Sequence, residues 1–254
     1  MRNSQSRPTT CPFRGGFLIG LMVLSSTVPG CRWTSTGQNT VGVRMFQQQR
    51  YSEALQQFQQ ALRSDPSNPD AYYNLASTYH RIALSAKQKD QRLITQAESL
   101  YNECLQLQPN HVDCYRGLAV LLAESGRPDS GMRLLKGWAA QEPQASAPRV
   151  ELARLYQEYG DAGVAERYLD EAITLNPSDF RAWAAKGQMR EKSGNLQQAK
   201  QDYEYSLALN NQQPELYQRV ASVNAQLMRN AATQIANAPS QPVLPNTSGG
   251  IRRY

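Results

Sequence analysis

Small residues recur along this chain on a 34-residue ruler, and that spacing constrains the fold more than any single residue does. One series is Ala54, Ala97, Gly131, Ala165 and Ala199, separated by 43, 34, 34 and 34 residues. A second, Gly42, Ala76, Ala119, Ala153, Gly187 and Ala221, keeps register with the first at spacings of 34, 43, 34, 34 and 34. Pro66, Pro109, Pro143 and Pro177 close successive periods, where a missing amide and a fixed φ stop one helix before the next begins. Each period therefore predicts two helices. A period of this length marks stacked helix pairs that bury a continuous core only together, so the expected fold is all-α and elongated.

Charge narrows the partners. The formal net charge is +6, but residues 1–31 hold Arg2, Arg7 and Arg14 and no acid, leaving 24 basic against 21 acidic residues in the remainder. With both signs interspersed there is no basic stripe to neutralise phosphates, and nucleic acid is set aside as a partner.

The three arginines precede an apolar run from Phe17 to Val28, the layout of a secretory signal. The run falls short of the roughly 20 apolar residues a membrane span needs, so cleavage is favoured over a retained signal anchor. Val28-Pro29-Gly30-Cys31 resembles the lipobox of bacterial lipoproteins, although Pro29 departs from the usual pattern. That resemblance implies lipidation at Cys31 and an exported chain tethered to a membrane facing the periplasm. The alternative is a secreted or soluble periplasmic protein with Cys31 unmodified. On this reading residues 1–30 are the signal peptide, 31–35 a linker, 36–237 the helical array, and the turn-rich 238–254 a disordered tail.

The repeats themselves resemble the tetratricopeptide repeat. Tyr72, Leu75, Ala76 and Tyr79, with Ala97, Tyr101, Cys104 and Pro109, carry the resemblance in the second unit. Leu152, Ala153, Tyr156, Gly160, Ala165, Leu169, Ala172 and Pro177 carry it in the fourth. It implies a right-handed superhelix of about five repeats, closed by a capping helix from Pro214 whose outer face is polar. Trp138 stands where an alanine is usual while Gly131, on the same helix face, gives up a methyl group, which suggests local repacking. Lys186, Arg190 and Asn211 depart from the apolar and proline pattern, so the fifth unit is expected to be weaker. Nine extra residues between Ala76 and Ala97 predict two lengthened helices about a polar turn at Lys87-Gln88-Lys89-Asp90. A tolerated surface insertion and a partner site are both open readings of it.

Cys104 and Cys114 flank the turn at Pro109, and two readings stay open. Cys104 falls where Ala61 and Ala172 sit in other units, which favours free core thiols; antiparallel geometry in an oxidising compartment allows a disulfide. His80 and His111 lie on different units with no cysteine or carboxylate cluster at ligand spacing, so no metal site is expected. There is no phosphate loop and no nucleophile motif. Neither catalysis nor a cofactor is expected.

In tetratricopeptide proteins the concave groove is lined by first-helix residues between the packing positions. Carried over, these are Tyr73, Ser77, His80 and Arg81; Arg116 and Val120; Val150 and Arg154; Ala184 and Gln188. The lysine–asparagine pair by which some members clamp a terminal carboxylate is not reproduced in any unit. The resemblance implies a non-catalytic scaffold binding a protein or extended peptide in that groove. The leading expectation is a membrane-tethered adaptor for assembly or secretion of an envelope complex; the alternative is an accessory subunit that localises a cell-envelope enzyme. Replacing Arg116 and Arg154 together is expected to weaken partner binding and leave melting unchanged.

Overall fold

A computed structural model of the chain describes residues 29–85 and 90–236. The described residues form α1 (Pro29–Gln47), α2 (Tyr51–Ser64), α3 (Pro69–Ser85), α4 (Gln91–Leu107), α5 (Val112–Glu124), α6 (Pro128–Gln141), α7 (Ala147–Glu158), α8 (Ala162–Leu175), α9 (Phe180–Lys192), α10 (Leu196–Leu209) and α11 (Pro214–Ala236). Residues 1–28, with most of the expected signal peptide, and the expected tail lie outside the described residues. Helix α1 extends back to Pro29 and so takes in residues 31–35, read from the sequence as a linker.

The helices pack in antiparallel pairs, and the ruler explains how. Gly131 lies so close to α5 that a Cβ there would sit 2.9 Å from the carbonyl oxygen of Ala119; at Gly187 a Cβ would sit 3.1 Å from that of Ala199. The two small-residue series therefore face each other inside each pair, where backbones approach too closely for larger side chains. First helices end at Gly126, Gly160 and Gly194, with φ of +85°, +81° and +81°. Only glycine adopts that conformation without a steric cost. Second helices end on extended residues (Asp65, Gln108, Asn176) placed directly before prolines, as the steric restriction on a pre-proline residue requires. Where Asn211 replaces the proline, Asn210 still takes the extended conformation. There the Gln213 amide donates to the carbonyls of Asn210 and Ser206 at 2.7 and 3.2 Å.

The expected lengthening is present. Helices α3 and α4 each run 17 residues, against 12 to 14 for α5 to α10. Odd-numbered helices touch the next odd-numbered helix as well as their own partners. They therefore form a continuous inner layer, with the even-numbered helices outside it. Helix α11 closes the stack by placing Leu216 and Val223 against Ala199 and Tyr203. No described helix is long and apolar enough to cross a membrane.

Candidate functional site

The inner layer carries the groove, and its two halves differ. Toward the N-terminus, most of the expected groove residues are engaged by side chains of neighbouring helices. The Ser77 hydroxyl and the Tyr101 phenol are 3.1 Å apart, and Tyr73 packs against the rings of Tyr101 and His111. His80 is buried, with Nε2 at 2.9 Å from a Glu124 carboxylate oxygen one unit along. Burial lowers its pKa below the ordinary 6.5, with Glu124 opposing that shift. Arg81 is exposed.

Toward the C-terminus the groove opens. Arg116, Val120, Arg154 and Gln188 line one cavity of about 250 Å³ together with Glu151, Gln157, Glu158 and Lys192. Arg154, Ala184 and Gln188 line a second, of about 420 Å³, with Arg219 and the turn from Gln212 to Glu215. The structure thus brings together five of the expected positions and joins the two cavities at Arg154 and Gln188. Val150 is not among them. Only 1% exposed, it packs into the core with Ala153 and Ala182, because its position on α7 faces the helix pair rather than the groove.

The two groove arginines have different electrostatic environments. Arg116 donates from Nε and Nη2 to the two carboxylate oxygens of Glu151 at 2.9 and 2.7 Å, and from Nη1 to Asp113 at 3.0 Å. Burial works against its charge, but the Glu151 hydrogen bonds and field raise its pKa above the ordinary range. Glu151 is only 2% exposed, so the pair is structural as well as groove-facing, and replacing Arg116 is expected to lower the melting temperature as well as alter the groove. Arg154 has no ion pair among the described residues, and its Nε is shielded from solvent without an acceptor. Burial lowers its pKa; Glu151 opposes this, and the neighbouring Arg116 and Arg181 reinforce it. Arg181 itself is paired with Asp179 at 3.2 Å.

A second cluster lies between units. Cys104 and Cys114 form a disulfide with Cα atoms 6.6 Å apart, which corrects the free-thiol reading: the turn at Pro109 folds α5 back beside the end of α4. His111 joins them, its ring and both sulfurs lying within 4.8 Å of one another. Sequence reading misses this proximity when His111 is weighed against the other histidine rather than against the cysteines seven residues before and three after it. His111 Nδ1 accepts from the Cys114 amide at 3.2 Å and Nε2 lies 3.2 Å from Asp70, so the imidazole caps α5 and ties it to α3. With the sulfurs bonded to each other, neither is a thiolate able to ligate a metal.

Comparison with known families agrees with this geometry. Residues 42–82 match a TPR repeat family, and residues 90–147, 146–189 and 180–213 match tetratricopeptide repeat families. The chain is a tetratricopeptide-repeat protein. Among solved structures it is similar to TTC0263, a thermophilic TPR protein of Thermus thermophilus, at 22% identity over 75% of this chain and 99% of that one, with a TM-score of 0.55. It is also similar to human IFIT1, at 16% identity over 73% of this chain and 44% of that one, with a TM-score of 0.50. Both likenesses concern the fold. Among curated proteins it is 24% identical over 186 residues to cellulose synthase operon protein C of Pseudomonas fluorescens, covering 70% of this chain and 14% of that protein. It is likewise 24% identical over 176 residues to human protein O-mannosyl-transferase TMTC1, covering 66% of this chain and 19% of that protein. The tetratricopeptide-repeat chain therefore spans a small fraction of the length of either relative.

Proposed function

We propose that this tetratricopeptide-repeat protein is a non-catalytic scaffold that holds an extended segment of a partner protein along its inner layer, as an accessory subunit that localises a cell-envelope enzyme. The observation that carries the reading is the pair of cavities joined at Arg154 and Gln188. They form a groove on rigid helices, of a kind that suits an extended chain. The likeness of the repeat region to part of a cellulose synthase operon protein favours an enzyme complex over a purely structural assembly. Gly30-Cys31 supports a lipid tether on the exported chain.

The test is purification of the tagged full-length chain with its partners from producing cells, beside a Val120→Trp, Ala184→Trp variant that fills both cavities. An enzyme activity present in the wild-type complex, absent from the isolated chain and lost from the variant's preparation is the expected result. The same partners on both preparations would remove the groove as the site. A complex without activity would favour the assembly or secretion adaptor. Intact mass and membrane fractionation of a Cys31→Ser variant test the tether separately.

A further inference from the structure

Four arginines of the inner layer are held by carboxylates, whereas Lys192 of the first cavity and Arg154 have no ion pair among the described residues. Arg116 is taken by Glu151 and Asp113, Arg181 by Asp179, Arg190 by Asp202, and Arg219 by Glu191. Arg154 lies where the two cavities meet and has no such partner among the described residues. The carboxylate three residues before it on α7, Glu151, is held by Arg116 from α5. Beside it Gln157 presents an Nε2 that is likewise shielded from solvent without an acceptor, and lines the same cavity. Two adjacent donors of this kind are costly to bury unpaired.

The surrounding charge is mixed. Arg116, Arg154 and Lys192 face Glu151 and Glu158 in the first cavity, and Arg154 and Arg219 face Glu215 in the second. Asp113 on Arg116 and Glu191 on Arg219 add a carboxylate at each recess, so what sets Arg154 apart is its missing acceptor rather than an excess of positive charge. Burial raises the pKa of Glu158, with Glu124 reinforcing that shift and Lys192 and Arg154 opposing it.

We infer that Arg154 and the Gln157 amide form an anchor for a carboxylate of the bound partner segment, so that the groove selects an acidic extended peptide. This rests on the groove reading and adds the chemistry of the occupant. A carboxylate supplies the hydrogen-bond acceptor that Glu151, held by Arg116, does not, and its two oxygens match the planar guanidinium. Apolar flanking residues are accommodated by Val120, Leu135 and Leu155 on one side and Ala184, Ala185 and Leu216 on the other. The carboxylate is supplied either by an Asp or Glu side chain or by the end of a chain, and the two sources differ experimentally.

The experiment selects random dodecapeptides on the full-length chain from two display libraries, one with the peptide C-terminus fused to its carrier and one with it free. Binders are then compared on wild-type and Arg154→Met protein, and as Glu→Gln or amidated peptides on wild-type protein. Enrichment of acidic residues at one position in the fused library assigns a side-chain carboxylate, and enrichment confined to the free library assigns the chain end. In either case neutralising that carboxylate is expected to weaken binding about 10- to 100-fold on wild-type protein and not at all on the variant. Groove binders with no acidic preference, or an acidic preference kept by Arg154→Met, would overturn the inference while leaving the groove standing. Binders unaffected by filling the cavities with Val120→Trp and Ala184→Trp, or no binders at all, would overturn the groove reading and the inference with it. The neutralised-peptide comparison needs no variant, so it decides even if Arg154→Met melts early.

Discussion

Two glycines of one helix are expected to respond to the same substitution with opposite signs. Gly131 and Gly137 both lie within α6. In an exposed helix interior Gly→Ala stabilises by about 1 kcal/mol through lower backbone entropy in the unfolded chain. Gly137 has nothing within 4 Å of where its Cβ would be, so Gly137→Ala is expected to show that gain. At Gly131 the new methyl meets the Ala119 carbonyl oxygen at 2.9 Å. That atom belongs to the backbone of α5 and moves only if the helix pair separates. Inserting a methyl into such a contact costs about 1–3 kcal/mol, which offsets or exceeds the propensity gain. The difference between the two variants isolates the packing cost, because the unfolded-state terms nearly cancel. At about 2–4 °C per kcal/mol for a chain of this size, Gly131→Ala is expected to melt about 2–12 °C below Gly137→Ala in parallel thermal scans followed by circular dichroism. Variants that melt together, or Gly131→Ala as the more stable, would refute the claim that the ruler records backbone contact.

Arg116→Met strands the Glu151 carboxylate, itself 2% exposed. It is expected to cost about 2–3 kcal/mol, less than for a fully dry pair because the Arg116 side chain is 33% exposed, and urea unfolding measures it. Reducing the Cys104–Cys114 bond, which spans ten residues, is expected to cost about 2–3 kcal/mol on the loop-closure argument; a melting temperature unchanged by reductant, with thiol titration proving reduction, would contradict this. His80 has a folded pKa below its ordinary 6.5, so the unfolded chain binds more protons between those two values. Its contribution to stability is complete above pH 6.5 and falls as the pH drops through that window. His80→Gln is expected to flatten the stability profile below pH 6.5.

The helices and their ends are legible in the sequence because each depends on local chemistry that repeats. Glycine at Gly126, Gly160 and Gly194 meets the same need for positive φ in each unit. The fifth unit reads as weaker because Arg190 stands where the fourth has Tyr156, one period earlier, while the change that answers it is on the other helix of the pair. Asp202 stands one period after Tyr168. The fourth unit stacks Tyr156 on Tyr168 with ring centroids 5.6 Å apart, whereas the fifth joins Arg190 to both Asp202 oxygens at 2.8 and 2.7 Å. The two changes are complementary. Burial still raises the Asp202 pKa against the pull of Arg190, so this pair replaces packing at an electrostatic cost.

The groove is harder to read because its charge state is decided between units. Along α7, sequence spacing alone suggests that Glu151 serves Arg154 one turn later. In the fold it serves Arg116, 35 residues earlier, because stacking brings α5 beside α7. A repeat array couples each unit mainly to its neighbours, so a carboxylate on one unit neutralises the cation of the unit before it. Asp179 departs from that order by accepting from Ser146 of α7's N-terminal turn at 2.6 Å while also pairing with Arg181. It is thereby committed at both oxygens and gives nothing to Arg154. Of the arginines lining the two cavities, Arg154 is the one with no ion pair among the described residues, because Glu151 and Asp179 are both held elsewhere, a condition that no single repeat encodes and that only the stacked order of units produces.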